Sequence, residues 1–326
     1  MPAKLPNTGT DADLNLASLA PLFADEDKAR GFLESKRWPN GQVCPHCEST
    51  EAYKLMPKPG SKRPVRPGVY KCKKCRQQFT VRIGTIFEES KLPLRKWLMA
   101  IHLMTSSKKG VSSHQIAREL DITVKSAWFL THRIREAMKQ EPMAGMLKGQ
   151  LEADECYVGA RKPRVPVGKK GRGSATKKAP VALIVERGGS AHARAVESVD
   201  SKTLRDELFH LADRDSSLCT DENRIYTKLG REFKGGHRFV THSKGEYVRK
   251  TKNGDMLVTT NTAESFFALL KRGHFGIFHQ LSKKHLHRYV AEFCFRWNQR
   301  KVSDGHRMVA AIEGAEGKRL RYREPI

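Results

Sequence analysis

Four cysteines in two CxxC pairs are the most specific chemical feature of the sequence. The pairs are CPHC at 44–47 and CKKC at 72–75. Four thiolates on two tight turns supply the tetrahedral set of soft ligands that Zn²⁺ prefers, and metal binding can fold a small ribbon. Reduced, metal-free cysteines and a redox CxxC are the alternatives. The spacing predicts a structural zinc site that does not need His46, with the ligands Cys44, Cys47, Cys72 and Cys75.

Acidic side chains in or after strand-like apolar runs are the second feature. Asp154 lies within LEADECYVG, where alternation puts Glu152 and Cys156 on its own face and Glu155 on the other. Asp221 ends the run SSLCTD. An acid in an apolar strand is costly unless it is paired or bound to metal. Two such carboxylates can hold two divalent cations about 4 Å apart for phosphodiester chemistry. The alternative for each is a strand-end or helix-capping aspartate.

A third acid belongs to the predicted helix NTAESFFALLKRG, residues 261–273. Asn261 is a natural N-cap, and Glu264 follows three residues later, as in a capping box. Alternatively, Glu264 faces the metals, while Lys271 on the same helical face and its neighbour Arg272 contact DNA. Both interpretations can hold together, because the dipole at a helix N-terminus favours a phosphate.

A pair of helices is predicted in residues 111–138, with ELDIT between them. This length and turn fit a helix-turn-helix, in which the second helix enters the major groove of DNA. An ordinary pair of helices packed on its neighbours is the alternative. Four side chains of the second helix are candidates for contacts with bases or phosphates: Lys125, His132, Arg133 and Arg135.

The elements that must position the acids form a mixed pattern. Three strand-like runs from Leu151 onward, a helix, another strand and C-terminal helices predict an α/β layer domain. Residues 21–38 predict a short amphipathic helix ahead of the cysteines, with acidic residues near Asp25 at its start and Pro39 after its end. We predict a helix with a zinc ribbon over 21–90, a helix-turn-helix region over 91–140, the α/β domain over 150–300 and a basic tail over 301–326.

The composition points to a polyanionic partner. The 326 residues include 61 Lys+Arg and 35 Asp+Glu, and 61 − 35 gives +26. Such a charge favours nucleic acid, and part of it lies in a predicted basic loop over 161–178. No apolar run is long enough to span a bilayer and the first twenty residues lack a signal-peptide pattern, so we expect a cytosolic or nucleoid-associated protein. Three further cysteines are expected to be small buried hydrophobes: Cys156, Cys219 and Cys294.

These motifs, in this order, resemble the bacterial insertion-sequence transposases of the ISXO type. The resemblance covers about residues 21–300 and is carried by CPHC…CKKC, the helix-turn-helix, EADECYVG, TDENRIY, HSKGEYVR, NTAESFFALLKRG and HLHRYVAEFCFRWNQR. It implies a zinc ribbon ahead of a ribonuclease-H-like catalytic domain of the DDE type. Asp154 and Asp221 match the two aspartates of that family, Asn261 matches its Asn, and Glu264 matches the acid that follows. We favour Glu264 as the third ligand, because a carboxylate binds a hard cation more strongly than an amide does.

The resemblance further implies DNA cleavage and strand transfer that depend on Mg²⁺ (or Mn²⁺), at the ends of a mobile element. The expected partners are double-stranded DNA, as terminal inverted repeats and as target, and further copies of the chain in a homodimer or larger assembly. Two other functions stay open. One is a non-catalytic DNA-binding regulator built from the zinc ribbon and the helix-turn-helix. The other is a ribonuclease-H-like nuclease without strand transfer.

Overall fold

The structure is a computed structural model that describes residues 11, 14–56, 65–140, 147–159, 178–251, 254 and 257–322. The chain divides into two compact units, each described here by itself. The N-terminal unit comprises residues 1–139 with 301–325, and the second unit comprises residues 140–300.

The N-terminal unit begins with helices and a small sheet. Its first elements are α1 (Leu16–Ala24), α2 (Glu26–Arg37), β1 (Ala52–Lys54), β2 (Tyr70–Cys72), β3 (Gln78–Phe79), α3 (Leu94–Ser106), α4 (Ser113–Glu119) and α5 (Val124–Met138). The single helix predicted over 21–38 is confirmed over α2 only; residues 21–24 belong to α1, because the backbone of Asp25 is extended and separates the two helices. The Asp25 side chain caps α2 by accepting hydrogen bonds from the backbone amides of Asp27 and Lys28.

The small sheet is antiparallel, with strand order β1-β2-β3. Trp38, directly after α2, packs edge-on against Tyr70 and Phe79, with ring centroids 5.5 and 5.8 Å apart. Tyr70 and Phe79 stack at 5.7 Å. These three aromatic rings give a sheet with few residues a core of its own and attach it to α2.

The helix pair predicted in residues 111–138 is confirmed as α4 and α5. Asp121 has a φ of 48°, and this left-handed residue reverses the chain between the two helices. The hydroxyl of Thr123 then caps α5 by accepting from the amide of Ser126 at 3.2 Å. Apolar side chains along both helices are buried: Ile116, Ala117, Leu120, Ala127, Leu130 and Ile134.

The second unit is built on a five-stranded sheet. Its elements are β4 (Gln150–Val158), β5 (Ala179–Glu186), β6 (Ala191–Ala195), α6 (Ser201–Leu211), β7 (Ser217–Thr220), α7 (Arg224–Leu229), β8 (His237–Phe239), β9 (Val248–Lys250), β10 (Leu257–Thr259), α8 (Asn261–Gly273) and α9 (Leu286–Asn298). The strand order is β6-β5-β4-β7-β8. Strands β4, β5 and β6 pair antiparallel, whereas β7 runs parallel to β4 and β8 runs parallel to β7. Strands β9 and β10 form a separate hairpin that leads into α8.

Helices cover both faces of this sheet, and the side chains of β4 alternate between them. Cys156 and Val158 join a core cluster with Phe266 of α8 and Phe293 of α9. On the other face, Leu151 and Ala153 belong to a second cluster, with Leu204 and Leu208 of α6 and Leu229 of α7. The mixed α/β class is therefore confirmed, and β4 is the central strand that faces two helical layers.

The last helix of the chain is α10 (Asp304–Glu313), in a segment for which the sequence predicts only a basic tail. It belongs to the N-terminal unit and packs against α2, α3 and α5. The predicted basic loop over 161–178 lies outside the described residues, apart from Lys178. Within the part of the chain that the structure describes, no helix is both long and apolar enough to cross a lipid bilayer.

Candidate functional site

Asp154 and Asp221 lie at the same level on neighbouring parallel strands. The ladder between β4 and β7 pairs Gln150 with Ser217 and Glu152 with Cys219. Two residues further along the same register, Asp154 falls beside Asp221, which directly follows β7. Adjacent strands are about 4.8 Å apart, so the sheet itself brings these two carboxylates together.

The pKa of Asp154 reflects the carboxylates near it. The pKa of Asp154 is raised from its usual 3.8 to about 7, chiefly by burial and further by the negative charges of Glu155, Asp221 and Glu264. A hydrogen bond from the backbone amide of Glu155, at 2.8 Å, acts in the opposite direction. Three negative charges close enough to raise the pKa of Asp154 indicate a concentration of negative charge, which a divalent cation would neutralise.

Glu264 is exposed in the first turn of α8 and faces His242. The two side chains are 3.5 Å apart, between Nε2 of His242 and Oε1 of Glu264. His242 also lies 3.2 Å from the hydroxyl of Thr260. Asn261 is exposed as well, one turn before Glu264 on the same side of the helix. The structure thus keeps both candidates for the third ligand on the surface of α8 that is open to solvent.

The predicted capping role of Asn261 is wrong. Asn261 is the first residue of α8, and the N-cap position belongs to Thr260, whose side chain makes no capping hydrogen bond. The buried carboxylate of Glu152 caps the helix instead. It accepts from the amide of Thr262 at 2.8 Å and from the amide of Ala263 at 3.0 Å. A side chain that is distant in sequence therefore satisfies two free amides of the first helical turn.

Glu155, on the opposite face of β4, also links this strand to a segment near the site. Its carboxylate accepts from Nδ2 of Asn223 and from the hydroxyl of Tyr226, both at 2.8 Å. The amide of Asn223 in turn donates to Oδ1 of Asp221 at 3.0 Å. Glu155 therefore ties the start of α7, and with it the segment that carries Asp221, to the central strand. Sequence reasoning missed Glu152 and Glu155 as contacts of the site, although strand alternation already placed them on opposite faces.

The four cysteines form the second candidate site, in the N-terminal unit. Their Sγ atoms all lie within 4.8 Å of one another. The distance is 3.6 Å between Cys44 and Cys75 and 3.7 Å between Cys47 and Cys72. A tetrahedral zinc site with Zn–S bonds of about 2.3 Å requires sulfur atoms about 3.8 Å apart, so the geometry fits Zn²⁺.

The two cysteine turns are alike in backbone as well. Glu48 follows the first pair with a φ of 58°, and Arg76 follows the second with a φ of 64°. Hydrogen bonds, the largest from the amide of Cys75, lower the pKa of Cys72 to about 6, whereas burial and hydrogen bonds with the other three cysteines raise the pKa of Cys75 to about 12. The metal-free cluster therefore favours a thiolate at Cys72, stabilised by the neighbouring thiols. Among the described residues, these cysteines are the one group of three or more side chains placed to hold a metal ion, so the acidic residues are not gathered as tightly. The other three cysteines are buried, as predicted.

The predicted DNA contacts of α5 need a correction. His132, Arg133 and Arg135 are only 1, 4 and 0% exposed. The guanidinium of Arg133 lies over the ring of Trp97 and donates to the carbonyl oxygen of Glu88 at 2.6 Å. These three side chains are part of the core of the N-terminal unit and are not presented to DNA. Lys125, near the start of α5, is exposed.

Further basic side chains are exposed on α4 and near the end of α8. On α4, His114 and Arg118 are exposed, close in the chain to the turn before α5. Lys271 and Arg272 are exposed near the end of α8, as the prediction of DNA contacts requires. Lys271 is close enough to Cys156 for its charge to lower the pKa of that thiol, although burial dominates and raises it to about 12.

Comparison with known proteins places the chain in a family. Residues 146–298 match the ISXO2-like transposase domain, and residues 24–78 match the transposase zinc-ribbon domain. A relative from Halobacterium salinarum, described as an uncharacterized protein in transposable element ISH50, is 31% identical over 288 residues. That match covers 84% of this chain and 91% of the relative. The chain belongs to the ISXO2-like transposase family, which confirms the resemblance noted in the sequence.

Two solved structures show weaker likeness. One is the intasome of simian T-cell lymphotropic virus in complex with PP2A regulatory subunit B56 gamma, at 13% identity and a TM-score of 0.26. The match covers 55% of this chain and 63% of that chain. The other is the Mos1 strand transfer complex, at 12% identity and a TM-score of 0.20, over 72% of this chain and 82% of that chain. With scores this low, neither likeness bears on the fold.

Proposed function

We propose that this chain is a DNA transposase that binds the ends of an insertion sequence and catalyses cleavage and strand transfer at one acidic site. The observation that carries the proposal is the alignment of Asp154 and Asp221 on parallel strands. Glu264 of α8 lies near enough for its charge to raise the pKa of Asp154. Family membership supports the same chemistry, because the matched region is a transposase domain.

The finer fold assignment is part of the proposal. The strand order β6-β5-β4-β7-β8, with β4 antiparallel to β5 and parallel to β7, supports a ribonuclease-H-like domain over residues 150–300. Helices on both faces of the sheet agree with that assignment. The helix pair α4 and α5 supports a helix-turn-helix over 91–140, after a helix and zinc ribbon over 21–90.

The catalytic assignment rests on three carboxylates. Asp154, Asp221 and Glu264 would hold two Mg²⁺ or Mn²⁺ ions, with Asn261 as the alternative third ligand. Bound there, such ions would supply the Lewis acidity that lets water, and then a DNA 3′-hydroxyl, attack a phosphodiester in line, without a covalent protein intermediate. Because the pKa of Asp154 is raised to about 7, metal binding at neutral pH displaces a proton from part of the population.

DNA binding uses exposed cations of both units. Lys125 on α5 and Lys271 with Arg272 on α8 are the predicted side chains that remain accessible. The four cysteines would hold Zn²⁺ and give the ribbon a rigid shape. The DNA partners are the terminal inverted repeats and a target duplex. Joining two ends needs two active sites, so we propose a homodimer or larger assembly on DNA.

Strand transfer in vitro tests the function. Zinc-loaded protein is mixed with Mg²⁺, a duplex that ends in the inverted repeat found beside the coding region, and a plasmid target. We expect wild type to cleave and join, Asp154→Ala to bind DNA without reaction, and Asp206→Asn, a change at an exposed site on α6, to behave as wild type. Cleavage without joining would indicate a nuclease. Binding without cleavage by wild type, or full activity of Asp154→Ala, would overturn the catalytic assignment.

A further inference from the structure

Glu152 is a carboxylate that the proposed chemistry does not use, although it lies two residues before Asp154. Its side chain is completely buried, at 0% exposure. It sits on the same face of β4 as Asp154, toward the layer of α8. Both oxygens of Glu152 are occupied by donors from α8. Oε2 accepts the amides of Thr262 and Ala263, and Oε1 accepts the hydroxyl of Thr262 at 2.9 Å.

Arg187, after β5, completes the arrangement. Its Nε lies 3.0 Å and its Nη2 lies 2.9 Å from Oε1 of Glu152. The same guanidinium donates to the carbonyl oxygens of Leu257 at 2.8 Å and Thr259 at 3.3 Å. Both residues belong to β10, the strand that enters α8. Arg187 also donates to the side chain of Gln150 at 2.8 Å. One ion pair therefore joins β4, the β10 backbone and the first turn of α8.

We propose that Glu152 and Arg187 are positioning residues that set the distance between Asp154 and Glu264, and hence the geometry of the metal site. This inference rests on the proposed function. The connection is short: Glu152 precedes Asp154 by two residues on one strand face, and its partner Ala263 directly precedes Glu264. A displacement of α8 along β4 would first have to break the hydrogen bonds of Glu152.

The local sequence of α8 offers no substitute for this contact. Thr260 occupies the N-cap position without a capping hydrogen bond from its side chain. The amides of Thr262 and Ala263 thus obtain their acceptor from β4, while the amide of Asn261 donates to the hydroxyl of Thr259 at 3.1 Å. Because a carboxylate accepts several hydrogen bonds at once, whereas a carboxamide must also donate, glutamine cannot satisfy both the amides of α8 and the guanidinium of Arg187.

The test compares Glu152→Gln with a matched variant, Glu292→Gln. Glu292 on α9 is also completely buried and pairs with Arg296 at 2.6 Å. It is therefore a buried carboxylate in an ion pair that does not cap α8. Strand transfer by each zinc-loaded protein is measured against Mg²⁺ concentration and then against Mn²⁺ concentration. Mn²⁺ binding is measured separately by calorimetry.

We expect Glu152→Gln to need about tenfold more Mg²⁺ for half-maximal activity, as is typical when a contact that orients metal ligands is lost. Mn²⁺, which binds such sites more tightly, should restore much of the rate. The affinity of Glu152→Gln for Mn²⁺, measured by calorimetry, should fall by a similar factor. Glu292→Gln should keep the metal dependence of wild type, even if its thermal stability falls as much.

Thr262→Val is a second variant that tests the same contact if Glu152→Gln fails to fold. It removes only the hydroxyl donor to Glu152, so we expect the same shift in metal dependence at a smaller size, about threefold. A metal dependence equal to that of wild type in both folded variants, or an equal shift in Glu292→Gln, would overturn the positioning role. If wild type itself neither reacts nor binds Mn²⁺ more tightly than Asp154→Ala does, the proposed function fails instead.

Discussion

Replacing Asp154 by asparagine should make the metal-free protein more stable at high pH. Because burial raises the pKa of Asp154 from 3.8 to about 7, the folded protein binds this proton more tightly than the unfolded chain does. The stability that this group contributes is fully present below about pH 4 and is lost as the pH rises through 7. Asparagine has no such titration and can still accept the amide of Glu155 through its oxygen.

The size of the effect follows from the two pKa values. The full difference corresponds to about 4 kcal/mol, at about 1.4 kcal/mol for each tenfold change in proton affinity. Between pH 5 and pH 8 the unfolded chain is already ionised, while the folded protein loses its proton. Over that interval the stability of Asp154→Asn relative to wild type should rise by about 2 to 3 kcal/mol.

Urea unfolding of zinc-loaded, magnesium-free protein at pH 5 and pH 8 measures this difference. Hydrogen exchange of the β4 amides reports the second unit alone. Asp206→Asn, exposed on α6, is the control and should show no comparable dependence on pH. A difference between Asp154→Asn and wild type that stays constant over this range would refute the reasoning. Added Mg²⁺ at pH 8 should stabilise wild type and leave Asp154→Asn unchanged.

Three further predictions address the zinc site, the support of Asp221 and the DNA contacts. Wild type should contain about one zinc per chain by metal analysis, and Cys44→Ser should lose the metal and the folded ribbon; a folded ribbon without zinc would contradict the assignment. Tyr226→Phe removes a buried donor to Glu155 and should cost about 1.5 to 3 kcal/mol in urea unfolding, with slower strand transfer. If this variant is as stable and active as wild type, Glu155 does not support the site in this way. Lys125→Ala should lower the slope of log affinity for DNA against log salt by about one, whereas Arg133→Met should lower stability and leave the slope unchanged. A larger change of slope in Arg133→Met would show that the buried cation reaches DNA.

Local spacing was sufficient to predict the cluster of four cysteines and the principal elements. A CxxC turn brings two sulfur atoms together through neighbouring residues, so the pairs at 44–47 and 72–75 could be recognised without the fold. Alternation along β4 likewise predicted which side chains share a face with Asp154, because a strand repeats every two residues. The turn between α4 and α5 was also visible, since apolar positions stop and restart around Asp121.

Contacts between distant segments decided the rest. His132, Arg133 and Arg135 were expected on the surface, but α5 packs against α3, α4 and α10, so more than one of its faces is buried. Helix α10 lies far along the chain, and nothing in the sequence of α5 indicates its approach.

At the acidic site, too, local patterns predicted some features and contacts between distant segments decided others. The sequence alone determined that Asp154 and Asp221 follow or interrupt apolar strands, because each signal is contained in a few adjacent residues. Only the tertiary structure decided that their strands are parallel neighbours in matching register. It also decided that Glu152, and not Asn261, caps α8. Pairing and capping across the sheet depend on the free energy of packing whole layers together, which no local pattern of residues contains.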